Sequence, residues 1–301
     1  MSANKLKNPF QSIYEACTTT MEAKQKKFLP FPLMLDIELT NRCNMRCAMC
    51  PTGMGAVKRQ SGNMDFYLLR TILNEAAKYH AAIRFIRWGE PTLYPRLVDA
   101  VKECKKRNLL VHINTNGLKM SSLLFMDLMD AGLDSIKFSM QGVNPQGYLE
   151  YRRCNEFSEL LGKVNLCHEL RLQYRTRNPF IQIGTTITTE SEEEVSQFKR
   201  TVDAYTDAVY IGKTRDLSVV NDRRSACQCP EVWTKLSVNW DGRVSACCGD
   251  YDNLMPAGHL RDNKLSEIWF GETMENYRKM LSNYEHYKLP LCSRCARSIE
   301  V

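Results

Sequence analysis

Thr40-Asn41-Arg42-Cys43-Asn44-Met45-Arg46-Cys47-Ala48-Met49-Cys50-Pro51 follows directly on an apolar run, residues 34–39, and its cysteines stand at C-x3-C-x2-C spacing. The run predicts a strand, so the cysteines sit on the loop at its C-terminal end. Three thiols on one short loop can converge on a single centre. In a four-iron cube three protein thiolates leave one iron open, where a substrate or cofactor can chelate. A zinc site or three buried thiols is the alternative for the same residues, although three ligands alone make an incomplete structural zinc site.

Downstream of this loop, short apolar runs alternate with longer helix-like segments, the pattern of βα units on a parallel sheet. Strands are predicted at 34–39, 83–88, 110–114, 135–140, 181–187 and 208–211, and helices near 65–79, 95–107, 121–131, 157–171 and 190–204. Six strands are too few for a closed eight-stranded barrel. They fit an α/β fold, a partial (β/α)6 TIM-like barrel, whose chemistry belongs at the C-terminal strand ends. Residues 1–32 read as a polar N-terminal extension with helical character, carrying Lys24, Lys26 and Lys27. Residues 33–215 form the expected core. After residue 212 the alternation stops, and 216–301 read as a smaller cysteine-bearing domain with a hairpin at 236–245 turning on Asp241-Gly242.

Composition sets the class. With 301 residues, 44% of them hydrophobic, the chain can bury a full core. No stretch approaches the roughly 18 apolar residues of a membrane span, and nothing after Met1 resembles an export signal, so a cytoplasmic, membrane-free protein is expected. Thirteen cysteines is an odd count that argues against a closed disulfide framework. In a reducing compartment clustered cysteines more often hold metal. The five histidines, His80, His112, His168, His259 and His286, show no ligand spacing. A formal charge of +7 counts every thiol as neutral, and cluster thiolates would reduce it, which weakens any nucleic-acid reading.

The loop motif resembles that of the radical S-adenosylmethionine (SAM) superfamily over residues 33 to 211. The resemblance implies a [4Fe–4S] cluster on Cys43, Cys47 and Cys50 that binds SAM. It places Met49 against the adenine. Gly89-Glu90-Pro91 is similar to the family's Gly-Gly-Glu-Pro motif, which receives the methionyl ammonium, with Trp88 standing where the first glycine is usual. Asn114 and Asn116 at the end of the third strand and Ser139 at the end of the fourth fall where the ribose is contacted. Arg152 falls where an arginine holds the SAM carboxylate. Turn chemistry before Gly117 is the alternative for the asparagines, capping for Ser139, and a solvated surface charge for Arg152.

Cys229, Cys247, Cys292 and Cys295 resemble the twitch, or short SPASM, domain, which implies a second, auxiliary [4Fe–4S] cluster with four protein thiolates and therefore no open iron. A four-cysteine zinc site is the alternative. Only six residues follow Cys295 and none is cysteine, so a single auxiliary cluster is expected.

Of the remaining thiols, Cys17, Cys104, Cys154, Cys167 and Cys227 suit ordinary burial, with Cys227 also placed to substitute as a cluster ligand or a donor. Cys248 is tethered to the ligand Cys247 and is the candidate hydrogen donor to a substrate radical. Lys213, Arg215, Arg223 and Arg224 are candidates for a substrate phosphate or carboxylate.

The resemblance implies a radical SAM oxidoreductase, a dehydrogenase or an epimerase, acting on a carbinol carbon of a sugar, aminocyclitol or glycosylated metabolite. A flavodoxin- or ferredoxin-type protein is the implied electron donor. A peptide-modifying epimerase or maturase is the second reading, disfavoured by the lack of a separate leader-binding domain. A zinc-binding interaction protein is the third.

Overall fold

The structure, a computed structural model, describes residues 5–16, 29–213 and 229–295. Its strands are β1 (Met34–Ile37), β2 (Ala82–Phe85), β3 (Val111–Thr115), β4 (Ser135–Ser139), β5 (Phe180–Ile187), β6 (Ala208–Lys213), β7 (Lys235–Val238), β8 (Arg243–Ser245) and β9 (Pro256–His259). They form one sheet in the order β6-β5-β4-β3-β2-β1-β7-β8-β9. The first seven run parallel, and β8 and β9 turn back antiparallel. The six expected strands are the partial barrel. The expected hairpin is β7 and β8, with Gly242 at φ 88° in its turn, and β7 pairs with β1. The C-terminal segment thus shares the core's sheet.

Connecting helices α2 (Phe66–Lys78), α3 (Leu97–Lys105), α4 (Ser122–Asp130), α5 (Pro145–Arg152), α6 (Phe157–Gln173) and α7 (Glu192–Asp203) cover the convex face. Local chemistry sets their starts: Asp65, Ser121 and Asn144 accept from Leu68, Leu124 and Gly147 amides, and Ser191 with Glu194 forms a capping box. The sequence reading lacks α5. Its cue is Asn144-Pro145, an N-cap followed by proline in the first helical turn.

Strand residues alternate between the two faces. Leu35, Ile37, Ile83, Phe85, Ile113 and Phe138 are fully buried in one apolar cluster with Leu69, Leu73 and Ala76 of α2. Their neighbours Asp36, Arg84, His112 and Lys137 therefore turn to the concave face. The N-terminal end of this lumen is closed by α1 (Gln11–Glu15) and the preceding Phe10. Phe10 packs with Met34 and Ala82 and meets the His112 ring edge-on at 5.6 Å. Among the described residues no helix is long and apolar enough to cross a membrane.

A charged concave face has to neutralise itself. Arg84 donates from Nε and Nη2 to the two carboxylate oxygens of Asp36, both at 2.7 Å. Burial opposes ionisation of Asp36, but the charge and hydrogen bonds of Arg84 outweigh it and hold the carboxyl below its ordinary 3.8. A lowered value means the pair's contribution is complete at neutral pH and is lost only as pH falls through that lowered value. Arg84→Met or Asp36→Leu alone is expected to cost about 3–5 kcal/mol, because each strands a buried charge. The double variant is expected to regain most of that loss in denaturant titration, whereas additive losses would show that the pair is not coupled.

Candidate active site

The cysteine loop begins where β1 ends. Thr40 Oγ1 donates to the Gly62 carbonyl (2.8 Å), and Asn41 exchanges side-chain hydrogen bonds with Gln60 O (2.8 Å) and Gly62 N (2.9 Å). Gly53 lies so close under the loop that a Cβ there would meet Cys47 O at 2.4 Å. Cys47 is buried, while Cys43 and Cys50 are half-buried. Burial pushes the Cys43 thiol up to about 11, with Glu90, Cys47 and Cys50 adding to the rise. The three thiols are thus electrostatic neighbours. Among the described residues no three His, Cys, Asp or Glu side chains are set to hold one metal ion, and a multi-iron core, whose irons each take one thiolate, is the group that such spacing suits.

The end of β2 supports this loop. A Cβ on Gly89 would lie 2.0 Å from Thr40 O, so only glycine fits. Glu90 N donates to Arg42 O at 2.8 Å, and Thr52 Oγ1 donates to Trp88 O at 2.6 Å. Trp88, the departure from the family motif, has a role here: its Nε1 donates to Asp250 O (3.1 Å) and its ring meets Tyr251 edge-on at 5.8 Å. Glu90 is buried. One carboxylate oxygen accepts from Thr92 N (3.1 Å), Thr92 Oγ1 (2.7 Å) and Thr115 Oγ1 (2.6 Å), and the other from Asn116 N (2.7 Å). Burial raises its pKa despite these bonds. In these contacts Glu90 joins β2 to β3, and the spare acceptor capacity lies on the oxygen facing Asn116.

The remaining residues predicted to contact SAM surround the loop unequally. Asn116 Nδ2 donates to Asn44 Oδ1 (2.9 Å) and lies 4.0 Å from Cys43 Sγ. Arg152 is not a solvated surface charge: its Nη1 lies 3.4 Å from Cys47 Sγ and its Nη2 donates to Ser139 O at 2.6 Å. Asn114 Oδ1 and Arg152 Nε are buried with no hydrogen-bond partner. Buried polar atoms are normally satisfied, so these two mark where a polar ligand completes the site, and SAM with its ribose hydroxyls and carboxylate fits them. Met49 is half-buried on the loop itself. Tyr151, absent from the sequence reading, accepts from Ala48 N at 2.8 Å and fastens α5 to the cysteine loop.

The second cysteine group is tied to the end of β2 through Arg87 and Trp88. Cys247 feels the charge of Cys229, and a hydrogen bond with the Cys248 thiol, then burial, pushes the Cys247 thiol up. Gly249 N donates to Cys247 Sγ at 3.3 Å. Cys292 is buried in the main core cluster, against which Cys229 and Cys247 also pack. Cys295 N donates to Cys292 O at 3.2 Å. Arg87, which the sequence reading also lacks, binds Cys247 O (3.3 Å), Cys248 O (3.3 Å), Asp250 O (2.8 Å) and Asn239 Oδ1 (2.9 Å). Cys248 itself is exposed, yet Glu231, Lys235 and the buried Asp36 all act on its thiol.

Cys104 and Cys167 are buried among apolar residues, and burial pushes both thiols up. Cys154 is half-buried. Lys213 is exposed at the end of β6. Cys17, Cys227, Arg215, Arg223 and Arg224 lie outside the described residues, as do Lys24, Lys26 and Lys27.

Residues 37–202 match the family described as the Radical SAM superfamily, and residues 227–296 match the SPASM family, an iron-sulfur cluster-binding domain. The chain is 26% identical to the tungsten-containing aldehyde ferredoxin oxidoreductase cofactor-modifying protein of Pyrococcus furiosus, across 87% of this chain and 86% of that one. It is 22% identical to the S-adenosyl-L-methionine-dependent 2-deoxy-scyllo-inosamine dehydrogenase of Niallia circulans, across 87% of this chain and 92% of that one. Streptococcus suis SuiB, solved bound to the precursor peptide SuiA, shares the fold with a TM-score of 0.65 at 16% identity, covering 98% of this chain and 78% of that one. The chain belongs to the radical SAM superfamily, and it is an enzyme of S-adenosylmethionine and a [4Fe–4S] cluster whose C-terminal domain is built for an auxiliary iron–sulfur cluster.

Proposed function

We propose that the enzyme oxidises or epimerises a carbinol carbon of a sugar-like or aminocyclitol substrate, with Cys43, Cys47 and Cys50 holding the SAM-binding cluster and Cys229, Cys247, Cys292 and Cys295 the auxiliary one. The observation that carries this reading is the polar inner face of the sheet below the first cysteine loop, where Asp36, Arg84 and His112 stand in one cross-strand row and Lys137 and Gln182 in another, groups suited to a hydroxyl-rich molecule. Similarity to the 2-deoxy-scyllo-inosamine dehydrogenase across nearly the full length of both chains supports it. When bound, SAM and its cluster supply a 5′-deoxyadenosyl radical able to take hydrogen from unactivated carbon.

The protein's own residues then do three things. Arg152, Asn114 and Ser139 orient SAM over the lumen. Glu90 and Asn116 keep the strand ends fixed so that the reacting carbon has one position. Cys248 decides the outcome. If its S–H bond gives hydrogen to the substrate radical, a new C–H bond forms on the opposite face and the stereocentre inverts, leaving a sulfur radical for a ferredoxin- or flavodoxin-class donor to reduce. If it does not, the substrate radical gives its hydroxyl proton to solvent and one electron, for which the auxiliary cluster held by Cys229, Cys247, Cys292 and Cys295 would be the acceptor, and a carbonyl results.

Three measurements check this reading. Anaerobically reconstituted protein is expected to hold about eight irons per chain, falling to about four in Cys43→Ala/Cys47→Ala/Cys50→Ala; about four in the parent chain would remove the auxiliary cluster. Turnover in D2O is expected to place one deuterium at the abstracted carbon if Cys248 donates, and none in Cys248→Ala; a product lighter by two hydrogens shows dehydrogenation. A modified peptide would replace the small-molecule reading. Arg152→Met is expected to weaken SAM binding by about tenfold to a hundredfold in equilibrium dialysis, as loss of a charged hydrogen bond does, with iron content unchanged.

A further inference from the structure

Cations on the concave face are almost all committed. Arg84 is held by Asp36, Lys235 by Glu231 at 2.8 Å, Arg59 by Glu38 at 2.7 Å, and Arg87 by oxygens of Asn239, Cys247, Cys248 and Asp250. Lys137 is different. It stands in the middle of β4, in register with Asn114 of β3 and Gln182 of β5. Its side chain runs over Gly184, where a Cβ would come within 3.0 Å of Lys137 Cδ. The glycine leaves room for the lysine stem to reach the lumen. Arg84 and Asp36 are the charged groups that act on its amine, and among the described residues it has neither a carboxylate partner nor a hydrogen-bond acceptor.

The other charges facing it do not compensate. Asp36 is already neutralised by the bidentate Arg84. His112, on the neighbouring strand, is pushed down to about 3 by burial and then by Arg84 and Lys137, so it is neutral at pH 7. With three pairs closed and His112 uncharged, the lumen retains the positive charge of Lys137. Burial and then the Arg84 charge bring that amine down to about 8, so it is mostly protonated at neutral pH yet poorly satisfied. A partly buried ammonium without a partner is costly, and an arriving anion relieves the cost.

We propose that Lys137 is the anchor for an anionic group of the substrate, a carboxylate or a phosphate, held in the lumen one side-chain layer below Ser139. This rests on the substrate-binding role given to the lumen above and narrows the substrate to a sugar-like or related molecule that carries an acid group. Lys137 is a binding and specificity residue.

Trace acetylation of lysines in the anaerobic, SAM-loaded holoenzyme, read peptide by peptide by mass spectrometry, tests this without turnover. Between pH 6 and 10 Lys137 is expected to become reactive with a midpoint near 8, with the exposed Lys119 as the control. At constant ionic strength, acetate or inorganic phosphate is expected to slow its labelling several-fold in a saturable way and to raise its midpoint, while glycerol and the Lys119 control show no such effect. Stronger protection by acetate identifies a carboxylate site, and by phosphate a phosphate site. Labelling of Lys137 that parallels Lys119, no protection by either anion, or no labelling at any pH would each overturn the assignment. None of these outcomes depends on radical chemistry, so a failed anchor is distinguishable from a failed oxidoreductase.

Discussion

Between Gly89 and the carbonyl of Thr40 there is no space for a methyl group, a Cβ at position 89 falling 2.0 Å from that oxygen. This contact fixes the end of β2 against the start of the first cysteine loop, and the residues beside it extend the same constraint outward. Glu90 pins Arg42 and the end of β3; Arg87 and Trp88 bind the carbonyls of Cys247, Cys248 and Asp250 on the other side. Four consecutive residues therefore set the position of both cysteine loops relative to one another. The tryptophan at position 88 is consistent with this. Where a glycine would serve only close approach, its indole adds a hydrogen bond and an aromatic contact to the C-terminal segment, and so ties the two cysteine groups together.

The lumen follows from a second constraint. Parallel strands are ordinarily apolar on both faces, because helices cover one and packed side chains fill the other. Here the concave side of β1 to β4 is charged. Such a face is tolerable when its charges are paired and closed off from bulk water at one end. Asp36 with Arg84, Glu231 with Lys235 and Glu38 with Arg59 provide the pairing, and α1 with Phe10 closes the N-terminal end. What remains is a polar inner face that runs toward the cysteine loops.

Much of this arrangement was legible in the sequence. Six strands and their helices follow from hydrophobic periodicity, and the cluster loop from cysteine spacing, because these signals are local. The ends of the strands are displaced by a few residues: β1 and β2 stop at Ile37 and Phe85, short of the predicted 39 and 88, because the chain bends at 87–89 toward the cysteine loop. The pairing of β7 with β1 could not be read, since sheet neighbours far apart in sequence leave no periodic trace. Arg87 and Lys137 were missed for a related reason. Each looks like an ordinary charge in an apolar strand, and its meaning comes from partners, or their absence, on other strands. Arg152 was placed by resemblance alone; the proximity of Cys47 is what distinguishes it from a surface charge.

The 247–250 turn shows how one set of backbone bonds can serve two purposes. By accepting from Arg87, the carbonyls of Cys247 and Cys248 lose their freedom to rotate, and so do the side chains on either side of the shared peptide. Cys247 packs against the main core, as Cys229 does, while Cys248 stays exposed beside it. In the proposed chemistry this division matters because a hydrogen donor must reach the substrate from the face opposite to the abstracting radical. The guanidinium of Arg87, itself anchored beside Gly89, is then the link through which the geometry of the first site determines where that thiol stands.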